Sequence, residues 1–257
     1  MVAPKKSLGQ HWLKDRQVLS HIADSAGITP FDTVLEIGPG LGTLTSELLK
    51  RAEKVVAVEL DDELAKKLPL QFPGTTLQVV HQDILQFDLE RLPKDYIVVA
   101  NVPYYITSKI IQKLLTSTNK PRTIVLLIQK EVAVRLAAAP GDMSILAVSA
   151  QLHATVELGD VVPAIFFTPP PKVDSQVVIL NSRPEPLVAP EHEKAFFRVV
   201  KAGFSAKRKK LRSSLSGGLS LTKPEVEALL EKADISPDVR AEALSIEQWQ
   251  RLSSIVG

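Results

Sequence analysis

VLEIGPGLGTLT, residues 34–45, joins a β-branched apolar run to a helical pattern through a loop with glycine at 38, 40 and 42. Such a loop lets the backbone approach a ligand at the carboxyl end of a sheet. Its spacing separates two ligand classes. A nicotinamide fingerprint runs GxGxxG, whereas here the third residue after Gly40 is Thr43 and the pattern ends one residue early at Gly42. A dehydrogenase reading fails on that spacing and on the lack of an acid–base pair near the fourth strand.

Working outward, short β-branched runs recur at TVLEI (33–37), KVVAV (54–58), LQVVH (77–81), YIVVAN (96–101) and TIVLLI (123–128). Between them LTSELLKRA (44–52), DDELAKKL (61–68) and TSKIIQKLL (107–115) space their apolar residues as helices do. This alternation predicts an α/β fold, a parallel sheet covered by helices on both faces. Residues 131–153 read as two helices broken at Pro140 and Gly141. Two last strands, near 154–162 and at VDSQVVIL (173–180), are expected to close the sheet as an antiparallel pair. RPEPLVAP (183–190), with three prolines in eight residues, reads as a linker. Beyond it EKAFFRVVKAGF, KPEVEALLEKA and SIEQWQRLSSIV are amphipathic helical stretches. The expected organisation is a catalytic domain over 1–182 and a small all-helical domain over 183–257, with SSLSGGLSL (213–221) as a mobile connection.

The chain has 257 residues, 45% hydrophobic and 23% charged, as ordinary globular proteins do. No apolar run approaches the roughly 20 residues of a membrane span, and MVAPKKSLGQHWLKD lacks the apolar core of a signal peptide. A cytoplasmic protein without a membrane partner is expected. Zero cysteines exclude disulfides and thiolate chemistry. His11, His21, His81, His153 and His192 are scattered without paired ligand spacing, so no metal is expected. The net charge of +2 hides a cluster: Lys201, Lys207, Arg208, Lys209, Lys210 and Arg212 fall within twelve residues with no acid among them. Lys5, Lys6, Lys14 and Arg16 add a second basic segment against Asp15 alone. Phosphate neutralisation releases counterions, so two such segments point to a polyanionic partner.

NVPY, Asn101–Tyr104, follows the fourth apolar run and suggests chemistry on a planar exocyclic amine. The lone pair of such an amine is delocalised into its ring. An Asn carbonyl and the backbone carbonyl of Val102 or Pro103 can accept its hydrogens and draw the nitrogen toward tetrahedral geometry, while Tyr104 stacks on the base. Glu59 ends the second strand, 21 residues after Gly38, where a carboxylate can accept both hydroxyls of a ribose. Asp83, after the third strand, can take the exocyclic amine of a cofactor adenine, with Ile84 against the ring. Gly38, Gly40, Glu59, Asp83 and Asn101 thus end four successive strands, which one parallel sheet brings to one edge.

With these motifs the chain resembles the small-subunit ribosomal RNA adenine dimethyltransferase family. The likeness runs nearly end to end, through KKSLGQHWLKD (5–15), VLEIGPGLGTLT (34–45), VVAVELD (55–61), HQDILQFD (81–88), NVPYYITSKII (101–111), FTPPPKVDSQVV (167–178), FSAKRKKLRSSL (204–215) and RAEALSIEQWQRL (240–252). It implies a Rossmann-like class I methyltransferase sheet with a C-terminal all-helical domain. It also implies methyl transfer from S-adenosyl-L-methionine to N6 of two adjacent adenines near the 3′ end of small-subunit rRNA, within an immature 30S particle, by a monomer. By the same resemblance His11, Leu13, Gly38, Gly40, Glu59, Asp83 and Asn101 would contact the cofactor. Asn101, Pro103 and Tyr104 would form the catalytic motif, with Phe167 sandwiching the flipped adenine. Lys207, Arg208, Lys209, Lys210 and Arg212 would bind RNA. Relatives usually carry Asn at the position of His11 and Phe at that of Trp12; a neutral imidazole can serve there.

Two rival readings share this fold. A large-subunit rRNA adenine methyltransferase has an NxPY-like motif, but FTPPPKVDS and RAEALSIEQWQRL favour the small-subunit family. A non-catalytic ribosome-assembly or transcription factor would have lost its site residues, and here Glu59, Asp83 and NVPY all stand.

Overall fold

The computed structural model describes Pro4, Lys5 and Leu8–Gly257; Lys6, counted above among the basic residues, lies outside the described residues. Contacts divide the chain into two compact units. The described residues up to Ala133 join Thr155–Ser182 in the first, and Val134–Ala154 joins Arg183–Gly257 in the second.

In the first unit a seven-stranded sheet is built from β2 (Thr33–Ile37), β3 (Lys54–Glu59), β4 (Leu77–His81), β5 (Ile97–Asn101), β6 (Thr123–Gln129), β7 (Ala154–Val162) and β9 (Ser175–Ser182). Its order is β4-β3-β2-β5-β6-β9-β7. The five strands from β4 to β6 run parallel and β9 returns antiparallel to β6, as the sequence predicts for the closing pair. Strand order reverses between β2 and β5, the switch point at which open α/β sheets bind ligands. Two short strands missed in the sequence, β1 (Trp12–Leu13) and β8 (Phe167–Thr168), pair with each other apart from the main sheet.

Helices α2 (Thr43–Leu48), α3 (Asp62–Gln71) and α4 (Thr107–Thr116) fall where apolar spacing places them. Helix α1 (Arg16–Asp24) was not expected. Asp15 caps it, its carboxylate accepting the N–H groups of Gln17 and Val18 at 3.0 Å each, and Leu19, Ile22 and Ala23 face the core. These side chains share one cluster with Leu44 and Leu48 of α2 and with Val34, Val55, Ile97, Val99, Val125 and Leu127. The alternate residues Leu35, Val56, Val98 and Leu126 are equally buried, so both sheet faces are covered.

The second unit is helical: α6 (Ile145–His153), α7 (Pro190–Phe204), α8 (Leu211–Leu219), α9 (Lys223–Lys232) and α10 (Ile246–Val256). Helix α5 (Lys130–Leu136) spans the division between the units. The single boundary expected at 182 is therefore corrected. Residues 134–154 belong here because Ala147, Val148 and Leu152 of α6 enter the same core as Phe196, Leu215 and Trp249. Capping boxes start α9 at Thr222–Glu225 and α10 at Ser245–Gln248.

The expected mobile connection at 213–221 is also corrected, since most of it is helix α8. Serine and glycine disfavour helix locally, but burial of Leu211, Ser214 and Leu215 overrides propensity. Gly218 permits the contact with α7: a Cβ there would lie 2.6 Å from both Cα and Cβ of Ala202. Gly218→Ala gains up to about 1 kcal/mol of helix propensity and incurs about 1–3 kcal/mol of overpacking. A net loss of up to about 2 kcal/mol is expected in urea denaturation, and a more stable variant would refute the close contact.

Candidate active site

The carboxyl edge of the parallel strands opens into a cleft lined by Gly38, Gly40, Glu59, Asp83, Asn101, Pro103 and Tyr104, with His11 and Trp12 from the N-terminal segment. Parallel register sets this edge: Ile37 pairs with Val58, Glu59 with His81 and Asn101 with Leu127. Gly38 and Gly40 have φ of +66° and +57°, left-handed values that favour glycine.

Glu59 is buried at 5% exposure. Its Oε2 accepts the Gly40 N–H at 3.0 Å and its Oε1 the Asp61 N–H at 2.8 Å. Burial raises its pKa, against the pull of these backbone bonds. Each oxygen keeps a second lone pair for a ligand hydroxyl. Deeper in the sheet, burial pushes Glu36 up to about 8, even with a hydrogen bond from the Thr45 hydroxyl at 2.6 Å. Asp83 accepts the Leu85 N–H on Oδ1 at 2.9 Å. Its Oδ2 has no partner among the described residues, and Ile84 beside it is buried and apolar. Two diol acceptors, one amine acceptor, an apolar wall and a glycine loop fit an adenosine. At Gly38 an added Cβ would meet no protein atom within 4 Å.

At the other end, Asn101 Nδ2 donates to the His11 carbonyl at 3.1 Å. That bond fixes the amide, because a carbonyl can only accept, and it leaves Oδ1 without a protein partner among the described residues. The Pro103 carbonyl accepts the Ile106 N–H at 3.3 Å and the Thr107 hydroxyl at 3.4 Å. Among the described residues the Val102 carbonyl has no such partner, so of the two the sequence left open, Val102 is the available acceptor. Tyr104 shares a hydrogen bond with the Ser175 hydroxyl at 2.7 Å, and burial raises its pKa and keeps it a phenol. Its ring lies 6.0 Å from that of His11 at 18°. His11 Nδ1 donates to the Pro169 carbonyl at 2.7 Å, which sets the imidazole tautomer.

Two expected site residues are not displayed in the cleft. Leu13 and Phe167 pair across β1 and β8 and are 2% and 3% exposed, within the core cluster. Phe167, expected to sandwich the flipped adenine, thus lies in the core cluster and does not line the cleft. Leu13 instead offers its backbone carbonyl to the Thr43 hydroxyl at 2.9 Å. Lys5, read as part of a basic surface, pairs with the buried Asp61 carboxylate at 2.7 Å. Gln10 and Trp12 also line the cleft and were missed; only the quoted N-terminal block could have flagged them.

In the helical unit, Lys207, Arg208, Lys209 and Lys210 are exposed in the turn between α7 and α8. Lys210 pairs with Asp238 at 2.9 Å, and Arg212 with Glu227 at 2.9 Å and Asp238 at 3.7 Å. Lys207, Arg208 and Lys209 have no ion pair among the described residues. No cluster of three or more His, Asp or Glu suited to a metal occurs among them, nor any helix long and apolar enough to cross a membrane.

A doubly wound sheet with an adenosine-shaped acceptor set beside an Asn-Val-Pro-Tyr amine site defines an S-adenosylmethionine-dependent methyltransferase acting on a nucleobase amine. Residues 1–256 match the family described as ribosomal RNA adenine dimethylase, and the chain belongs to that family. It is 44% identical over 252 residues to ribosomal RNA small subunit methyltransferase A of Dehalococcoides mccartyi strain CBDB1, covering 96% of this chain and 87% of that protein. It is 41% identical over 263 residues to the protein of the same name from Geobacillus sp. strain WCH70, covering 97% and 90%. Among solved structures, a dimethyladenosine transferase from Plasmodium falciparum superposes with a TM-score of 0.81 at 29% identity, covering 94% of this chain and 96% of that one. The 23S rRNA methyltransferase ErmE does so with a TM-score of 0.78 at 31% identity, covering 95% and 98%.

Proposed function

We propose that this chain transfers methyl groups from S-adenosylmethionine to N6 of two adjacent adenines near the 3′ end of small-subunit rRNA, in an assembling 30S particle. It does so in the cytoplasm, as a monomer. The observation that carries this reading is the fixed amide of cleft-lining Asn101, whose Nδ2 is taken by the His11 carbonyl and whose Oδ1 has no protein partner among the described residues. Identities of 41–44% to small-subunit enzymes against 31% to the 23S enzyme support the small-subunit substrate. The intact acceptor set weighs against a purely non-catalytic assembly factor.

When bound, S-adenosylmethionine supplies an electrophilic methyl group whose leaving group is a neutral thioether. Glu59 holds the ribose hydroxyls and Asp83 Oδ2 the adenine amine. Asn101 Oδ1 and the Val102 carbonyl accept the two hydrogens of the target amine, which localises its lone pair toward the methyl carbon. On accepting the methyl group the target amine would become cationic, Asn101 Oδ1 and the Val102 carbonyl would stabilise it, and it would then release one proton to water. No residue needs to act as a nucleophile; position and a clear path suffice. Radiolabel transfer from S-adenosylmethionine to immature small subunits, with mapping of the modified bases, tests the reading. Labelling of naked large-subunit RNA instead would select the rival substrate.

Glu59→Ala should weaken S-adenosylmethionine binding by about 1.5–3 kcal/mol, the usual worth of hydrogen bonds to a charged group. Calorimetry measures this directly, and an unchanged dissociation constant would reduce Glu59 to a brace for the glycine loop.

A further inference from the structure

The Trp12 side chain carries a polar group that the reading above does not use. Trp12 is 9% exposed and lines the cleft, yet its Nε1–H has no hydrogen-bond partner among the described residues. A buried donor without an acceptor bears its full desolvation cost. The edge carrying this nitrogen faces the glycine loop: a Cβ on Gly40 would lie 3.2 Å from Nε1 and 3.3 Å from Cδ1. Backbone pairing holds the residue there. Trp12 is opposite Thr168 in the two-stranded ribbon, and the carbonyl of the preceding residue takes the Asn101 amide at 3.1 Å.

The order of strands says which part of a ligand arrives at that point. Across the carboxyl edge the sequence of strands is β4, β3, β2, β5; Asp83 follows β4, Glu59 ends β3, Gly38 and Gly40 follow β2, and Asn101 ends β5. An adenosine with its base at Asp83 and its ribose at Glu59 extends its 5′ substituent toward β2 and β5, because the base on C1′ and the 5′ carbon on C4′ are carried at opposite ends of the furanose, flanking its ring oxygen. In S-adenosylmethionine that substituent carries the sulfonium and the amino-acid tail. The tail ends in the one anionic group of the ligand. Among the described residues no lysine or arginine lines the cleft, while Glu59 and Asp83 do. The described lining therefore offers the carboxylate neutral donors, and the indole N–H beside Gly40 is one of them. We propose that Trp12 Nε1–H donates a hydrogen bond to the carboxylate of bound S-adenosylmethionine, a binding role that rests on the adenosine placement given above.

Trp12→Phe keeps the packed ring and removes only the donor. Titrating the intact chain with S-adenosylmethionine and with its decarboxylated form, which retains sulfonium and amine, isolates the carboxylate. The variant should bind S-adenosylmethionine roughly tenfold or more weakly and bind the decarboxylated ligand as the wild type does. The wild-type chain supplies an independent measurement. Its two tryptophans, Trp12 and Trp249, give two indole signals in a ¹H–¹⁵N spectrum. The signal missing from the variant should move downfield with S-adenosylmethionine and not with the decarboxylated ligand. Equal weakening toward both ligands, together with a wild-type indole signal that does not move, would overturn the hydrogen bond while leaving the cleft's assignment intact. A wild-type chain that bound neither ligand would overturn the adenosine placement and this inference with it.

Discussion

Asn101→Ala should lower the methyl-transfer rate by about a hundredfold to a thousandfold while leaving binding to the ribosomal particle unchanged. The magnitude follows from losing one aligned acceptor at the moment charge develops on the amine, an effect of that order for preorganised groups in enzyme sites. The loss is in the chemical step because, among the described residues, Asn101 Oδ1 has no protein partner and the amide is held by the bond from Nδ2 to the His11 carbonyl. The substitution also frees that carbonyl, so S-adenosylmethionine affinity should fall too, though far less than the rate. Single-turnover kinetics with saturating cofactor separate the two. Wild-type turnover in the variant would end the proposed role for Asn101.

Replacing Lys207, Arg208 and Lys209 together by alanine should weaken binding to immature small subunits and flatten its dependence on salt. Each phosphate contact contributes nearly one unit to the slope of log affinity against log salt, so a drop of about two to three units is expected. Lys210→Ala or Arg212→Ala alone should do less, because those side chains are engaged with Asp238 and Glu227. Cofactor affinity should be unaffected, since the turn belongs to the helical unit and the cleft to the other. If affinity and slope both stayed at wild-type values, the turn would be an ordinary solvated one.

The five parallel strands and the helices between them were legible because each is a local pattern: buried β-branched runs for strands and apolar spacing for helices. The same holds for Gly38, Gly40, Glu59, Asp83 and Asn101, whose strand-end positions follow once the sheet is parallel. Helix α8 was not legible, since its serines and glycines oppose helix locally and only packing against Ala202 and the helical core makes it one. Residues 134–154 were assigned to the wrong unit for a related reason. The apolar face of α6 does not itself say which core it will enter.

The residues alone determined the sheet, the glycine loop, the strand-end acids and the amine motif, because short-range stereochemistry and burial patterns set them. Tertiary structure decided what faces the ligand. The Asn101 amide is oriented by a carbonyl 90 positions away and His11 by one 158 positions away, and contacts at such separations leave no local pattern. For the same reason no local pattern announced Phe167 in the core, Lys5 on Asp61 or Trp12 against Gly40.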